Sequence, residues 1–210
     1  MPSPTKRIHF QDLIFDVYDD VYDPAEDSFL FAENLHVKAG EAVLDLGTGS
    51  GILAVVAAKA SGCVFAIDVN PYAVRCAKNN SQLNGVLGKI DFIQCDFFTA
   101  IREDFKLDLV LFNAPYLPSE PGEDATWLGR SWAGGTNGRK VVDRFIAEVP
   151  AYLKPHGRVL LMQSTLTGVE ETLRAFKNQG LNPSVVAQQK LPFFETLTLI
   201  EAKATNKQSS

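Results

Sequence analysis

The sequence predicts an α/β fold built on a mostly parallel sheet, and three observations carry that expectation. Strand-length apolar runs alternate with segments of helical period; a glycine-rich turn joins the first run to the first helix after it; and the chain closes on two strands with no room for a helix between them. The expected strands are 42–46, 63–67, 90–94, 107–112 and 158–162, each rich in Val, Ile, Leu and Phe and bounded by Gly, Asp or Pro. Because their apolar residues are consecutive and do not alternate, they should be buried on both faces.

Between them, 52–60, 72–83, 139–153 and 169–178 repeat apolar residues at steps of three and four, as Val141, Val142, Phe145, Ile146 and Val149 do, which predicts covering helices. An earlier helix over 25–35 follows Asp23-Pro24, a pair suited to a helix start. At the end, 182–189 and 195–201 read as strands joined by 190–194, a connection that only an antiparallel hairpin accommodates. Residues 1–204 are expected to form a single domain, and 205–210 a disordered tail.

A chain of 210 residues, 46% hydrophobic and with 14 Phe, is long enough for one sizeable core and short for two domains. Its formal net charge of −5 argues against a broad electrostatic grip on a phosphate backbone. Cys63, Cys76 and Cys95 lack any CxxC spacing, so reduced thiols in an intracellular protein are expected, with no metal site. His9, His36 and His156 are scattered and read as surface or helix-end residues. Residues 1–11 lack a signal-peptide core and no run approaches the ~18 apolar residues of a membrane span, so the expected location is the cytoplasm.

The chemistry begins at Val43-Leu44-Asp45-Leu46-Gly47-Thr48-Gly49-Ser50-Gly51, a glycine turn between strand and helix. Glycines there permit positive φ and close approach of a ligand, and free N–H groups of the next helix can bind it. Gly47, Thr48, Gly49 and Gly51 are therefore candidate contacts of a nucleotide-like cofactor. Asp68 ends the second strand 21 residues after Gly47, where a carboxylate accepts both hydroxyls of a ribose. NAD is disfavoured: Ile52 stands where the dinucleotide fingerprint wants a third glycine, and Asp45 would repel a pyrophosphate. Asp45 suits instead the cationic amino-acid end of S-adenosylmethionine. Asp96 and Phe97, past the third strand, are placed to accept from the adenine amino group and to cover the base. Each has a plain structural alternative: helix-on-strand packing for the glycines, a helix cap for Asp68, a turn for Asp96.

Asn113-Ala114-Pro115-Tyr116 follows the fourth strand, at the carboxyl edge where ligands of open α/β sheets bind. An amide or exocyclic amine is a poor nucleophile because its lone pair is delocalised, so both N–H groups must be held with nitrogen facing the methyl donor. The Asn113 side-chain oxygen and a backbone carbonyl are suitable acceptors, Pro115 stiffens the turn, and Tyr116 offers a flat face to a planar group. Asn113, Pro115 and Tyr116 are the candidate catalytic residues, and 113–116 the substrate loop. Trp127 and Trp132, in the long loop 119–136, are either a lid or core packing. Arg130, Arg139, Lys140 and Arg144 cluster near the catalytic loop and are expected as a solvated helix face.

Taken together, Asp23-Pro24-Ala25-Glu26-Asp27-Ser28, the GTGSG loop, Asp68-Val69-Asn70-Pro71, the NAPY loop and Trp132-Ala133-Gly134-Gly135-Thr136-Asn137-Gly138 resemble the HemK-like methyltransferases over about residues 17–202. The likeness is to the short archaeal and eukaryotic branch that methylates the glutamine of the GGQ motif in class-1 release factors. The resemblance implies a Rossmann-like seven-stranded sheet with an antiparallel last strand and helices on both faces. It implies cofactor contacts from Ser28, Asp45, Gly47, Asp68, Asn70, Asp96 and Asn113. It also implies a small zinc-binding activator subunit at the third-strand edge, 89–94, where an apolar edge wants cover. Ala114 departs from the usual Asn-Pro-Pro-Tyr, but alanine adopts the same φ and keeps the carbonyl. Two other readings are methylation of a nucleic-acid amino group, which the charge does not favour, and a non-catalytic adenosylmethionine-binding adaptor.

Overall fold

The structure, a computed structural model, describes residues 4–205; of the expected disordered tail, everything past 205 lies outside the described residues. It opens on an antiparallel hairpin, β1 (Lys6–Phe10) and β2 (Leu13–Val17), which the sequence reading lacks. Ile8, Phe10, Leu13, Phe15 and Val17 alternate with the less buried His9, Ile14 and Asp16 and are themselves buried, so one face of the hairpin joins the core.

There follow α1 (Glu26–Glu33), β3 (Ala42–Leu46), α2 (Ile52–Ala60), β4 (Cys63–Asp68), α3 (Pro71–Leu83), β5 (Ile90–Gln94) and β6 (Leu107–Asn113). The second half holds α4 (Trp127–Arg130), α5 (Lys140–Glu148), β7 (Leu153–Ser164), α6 (Val169–Asn178), β8 (Leu181–Lys190) and β9 (Thr196–Ala204). Seven strands form one sheet in the order β5-β4-β3-β6-β7-β9-β8. Only β9 runs antiparallel to its neighbours, β7 and β8, as the expected closing hairpin requires. The chain leaves β3 toward β5 on one side and returns to β6 on the other, so the crevice between the carboxyl ends of β3 and β6 is the topological switch point where such sheets bind ligands.

Burial on both faces holds for β3, all of whose residues are buried, but not for β5, the sheet edge, where Asp91 and Gln94 are exposed and Phe92 and Ile93 half-buried. The helix expected over 139–153 stops at Glu148 and continues as a 3-10 turn over Val149–Tyr152. Pro150 explains the break, since its ring displaces the preceding turn and it has no N–H to donate. Two asparagines of α3 dock β2 as a neighbouring strand would. Asn80 accepts from Asp16 N–H (2.8 Å) and donates to its carbonyl (2.9 Å); one helical turn on, Asn84 does the same with Ile14 (3.0 and 2.7 Å). The step of four on the helix thus matches the step of two on the strand, and β2's outer edge is satisfied.

Candidate active site

The loop after β3 follows from its glycines. Gly47, Gly49 and Gly51 all have positive φ (67°, 55° and 83°). A Cβ on Gly51 would sit 2.8 Å from Cα and Cβ of Ala77, so only glycine lets α2 start this close to α3. A cavity of about 980 Å³ opens over the loop, within the range of cofactor sites. The residues expected around a cofactor line it, from Ser28 to Asn113, except Gly51, whose part is the packing on Ala77.

Asp45 lies under the loop, fully enclosed; Thr48 Oγ1 donates to its Oδ2 (2.7 Å), as does Ala54 N–H (3.1 Å). Burial pushes its carboxyl up to about 7, against the pull of those two donors, and the nearby Asp68 adds to the rise. Asp68 accepts from Gly49 N–H (3.0 Å) on one oxygen and Asn70 N–H (2.9 Å) on the other, and burial raises its carboxyl too. The Val69 N–H faces it as well, and a carboxylate has about four acceptor positions, so its capacity is not exhausted. Asp68 is not the cap of α3: Asn70 is, accepting from Tyr72 N–H (2.9 Å) while its amide donates to the Asp20 carbonyl (2.7 Å). Asn70 lines the cavity with its side chain already engaged.

Asp96 and Phe97 are found with a partner the sequence reading missed. Arg144 of α5 donates to both Asp96 oxygens (3.1 and 2.8 Å) and lies over the Phe97 ring at 4.0 Å. The expected solvated face of basic residues is thereby corrected. Arg144 is engaged by Asp96 and Phe97 at the cavity wall, and Arg139 is 3% exposed, tied to the Thr167 and Gly168 carbonyls and Thr172. Arg130 does stay at the surface, over the Trp127 ring.

Asn113 ends β6 and is held from across the molecule. Its Nδ2 donates to Asp27 Oδ2 (3.0 Å) and to Ser28 Oγ (3.3 Å), both on α1. Reversing the amide would set its oxygen against a carboxylate, so Asp27 fixes the orientation of the amide of Asn113, a residue that lines the cavity. That oxygen is buried and has no hydrogen-bond partner. Asp27 also accepts from Ser28 N–H (2.6 Å), Ser28 Oγ (3.1 Å), Tyr22 (3.3 Å) and Tyr116 (3.4 Å). Burial and this carboxylate hold both tyrosine hydroxyls far above their ordinary range, so they remain donors. Tyr116 is therefore anchored by its hydroxyl, with the ring 9% exposed at the cavity wall. Asp27 was legible only as a member of a motif and Tyr22 was not singled out at all; no spacing announces a contact 86 residues long.

Trp127 and Trp132 both line the cavity half-buried, between the expected extremes of lid and core. The glycines near them clamp the catalytic loop: Leu117 N–H donates to the Trp132 carbonyl (3.0 Å), and Gly134 N–H to the Leu117 carbonyl (2.8 Å). Gly138 has φ 71°, and a Cβ there would overlap the Tyr116 carbonyl oxygen and the Thr167 methyl. We expect Gly138→Ala to lower the melting temperature by several degrees, about 2–4 kcal/mol, and to impair turnover in the protein that remains folded. Thermal unfolding beside initial rates checks this; an unchanged melting temperature would show that the contact yields.

Three comparisons with known proteins bear on this site. A family model described as Ribosomal protein L11 methyltransferase (PrmA) matches residues 27–114, from α1 to the second residue of the catalytic loop. A Methanocaldococcus jannaschii protein provisionally named protein N5-glutamine methyltransferase is 38% identical over 194 residues, covering 91% of this chain and 96% of its own. Methyltransferase HEMK2 of Homo sapiens is 33% identical over 195 residues, 88% of this chain and 90% of its own. Among solved structures, a chain of the E. cuniculi Mtq2–Trm112 complex, described as responsible for methylating the eRF1 translation termination factor, superposes with a TM-score of 0.69 at 24% identity. That match spans 89% of this chain and 99% of the other, and it carries the fold.

Proposed function

Because the chain belongs to the HemK-like methyltransferases, we propose that it binds S-adenosylmethionine in the 980 Å³ cavity and methylates the side-chain amide nitrogen of a glutamine, that of the GGQ motif of a class-1 release factor. The observation that carries this reading is the orphaned Asn113 Oδ1, a buried acceptor without a partner on a residue of the cavity wall. Such an atom is costly unless a ligand satisfies it. One N–H of the substrate amide donates to Asn113 Oδ1 and the other to a carbonyl of the loop, which turns the nitrogen toward the donor. The names of the Methanocaldococcus relative and of the E. cuniculi complex support glutamine and a termination factor as substrate.

The residues present fit the cofactor. Asp45 holds the cationic amino-acid end, the remaining acceptor capacity of Asp68 takes the ribose hydroxyls, and Asp96 with Phe97 takes the base. When bound, S-adenosylmethionine supplies a methyl group on a positively charged sulfur. The chain supplies orientation and hydrogen-bond acceptors that strengthen as positive charge develops on the attacking nitrogen. No strong base is needed: the nitrogen loses its proton after attack, when it is acidic.

Residues 1–204 are read as one catalytic domain of a cytoplasmic protein. The outer edge of β5, with Phe92 and Ile93 half-buried, is read as the seat of a small zinc-binding activator, whose added strand would pair the open edge. A nucleic-acid substrate is not favoured, because burial of Arg139 and engagement of Arg144 with Asp96 thin the basic cluster near the loop. Labelled S-adenosylmethionine offered with a GGQ-containing release factor and, separately, with total RNA, each with and without the activator, tests the reading. Label on the glutamine supports it, and label in RNA alone overturns the substrate.

The same assignment predicts a pH dependence. With its carboxyl near 7, Asp45 of the free protein is partly protonated at neutrality, and a cation is held by the ionised form. Affinity for the cofactor should therefore fall up to about tenfold per pH unit below about 7 and level off above it. The sign for folding is opposite. A carboxyl raised on folding contributes stability that is present below the ordinary carboxylate range and lost as pH rises through about 7. Asp45→Asn should remove both dependences; calorimetric titrations from about pH 5.5 to 8.5 check the first, and a flat profile would remove Asp45 from the cationic end.

A further inference from the structure

The hairpin turn between β8 and β9 carries the most exposed large apolar residues among those described, Phe193 and Phe194, at 95% and 103% exposure. Both also have left-handed backbone, φ 61° and 64°, a conformation that suits Asn or Gly and penalises a bulky side chain. The turn is closed by Leu191 N–H donating to the Glu195 carbonyl (2.9 Å). Neither packing nor turn chemistry accounts for two phenylalanines here.

Their position does. Asn113 of β6 pairs with Met162 of β7, and Ser164, two residues further along β7, pairs with Leu197 of β9. The tip at 193–194 therefore projects beyond the carboxyl end of β7, the same end of the sheet as the catalytic loop. Thr196 N–H donates to Thr165 Oγ1 (2.9 Å), and Thr167 in the same short turn abuts Gly138, which lies against the Tyr116 carbonyl. Leu166, 54% exposed, adds a third apolar side chain in that turn.

We infer that Phe193 and Phe194 are a docking handle for the protein substrate, seating an apolar surface of the folded release factor beside the loop that carries its glutamine. This rests on the glutamine-methyltransferase reading above. Exposed aromatic rings also stack nucleobases, but such platforms work with basic neighbours. Here Lys190 before the pair is offset by Glu195 after it, and the exposed Arg130 and Lys140 of the cavity lining stand beside the exposed Glu120 and Asp124, a mixed rim that suits a protein better than a phosphate backbone.

The test replaces the pair by the residues the backbone prefers, Phe193→Asn with Phe194→Gly, which removes both rings without disturbing the turn. Initial rates are measured on the folded release factor, on a short free peptide containing the GGQ sequence, and on RNA. The expected result is a KM for the folded protein raised about tenfold with kcat kept, an unchanged rate on the peptide, and a melting temperature no lower than before. Equal losses on protein and peptide would mean a disturbed active site, and no loss on either would leave the pair without this role; each overturns the proposal. A loss confined to RNA would make the tip a base-stacking platform and overturn it as well. Should the unaltered protein methylate neither protein nor peptide, the glutamine reading itself fails and takes the docking surface with it.

Discussion

Asn113→Ala is expected to reduce methyl transfer by about 10²–10³-fold or more while leaving cofactor affinity within a few-fold, because it removes the acceptor that aims the substrate nitrogen and little else. In the folded protein that acceptor is already oriented: Nδ2 is committed to Asp27 and Ser28, and Oδ1 is buried without a partner. Orienting the group in advance means that no reorganisation is needed at the moment of reaction. The variant leaves Asp27 short of one donor, but Ser28 N–H, Ser28 Oγ and two tyrosine hydroxyls remain, so the loss of stability should be about 1 kcal/mol. Asn113→Asp is the sharper variant, since it sets a second carboxylate against Asp27 and offers no donor between them. Single-turnover transfer from labelled donor, beside equilibrium binding of the demethylated cofactor, separates the two quantities. Turnover equal to the parent would remove Asn113 from the reaction, and a matching loss of cofactor affinity would reassign it to binding.

What could be read in the sequence beforehand follows a physical line. Glycine turns, consecutive apolar strands and amphipathic helices are local, so the succession of strands and helices from β3 onward and the loop after β3 were visible as patterns of neighbouring residues. The β1–β2 hairpin was equally local, with Ile8, Phe10, Leu13, Phe15 and Val17 in alternation. Its turn, however, uses Gln11 at φ 53° in place of the Asn-Gly or Asp-Gly that advertise a hairpin. Pro150 carried the warning that the fifth helix would end early.

The site divides along the same line. Asp45, Asp68 and Asn113 stand at strand ends next to recognisable turns, and their positions followed from the strands. Asp27 could not be assigned a task that way. It works by reaching from α1 to Asn113 and Tyr116, through contacts 86 and 89 residues apart, and a single sequence holds no record of which distant residue faces which. Arg139 and Arg144 show the reverse error. Charge near a catalytic loop was read as solvated, whereas one guanidinium is buried among carbonyls and the other is spent on Asp96 and Phe97.

Asp68→Ala is expected to weaken cofactor binding by about 10²–10⁴-fold. Hydrogen bonds from two ribose hydroxyls to one carboxylate contribute about 1.5–3 kcal/mol each, and every ~1.4 kcal/mol is a factor of ten in Kd. The alanine has a second effect, because Gly49 and Asn70 lose the acceptor that holds the glycine loop against β4, so the loop loosens where the ligand should meet it. Asp68→Asn separates the two contributions. Its oxygen can keep one backbone bond, and it carries no charge into a place where burial has already raised the carboxyl. By the linkage sign, that raised carboxyl contributes stability below the ordinary carboxylate range and loses it as pH rises through its folded value. The neutral amide should therefore fold at neutral pH at least as well as the parent. The asparagine variant is expected to keep its melting temperature yet bind cofactor far more weakly than the parent and more tightly than the alanine variant. Isothermal titration of all three proteins with the demethylated cofactor gives the ranking, and a Kd for either variant within about threefold of the parent would mean that the ribose is held elsewhere.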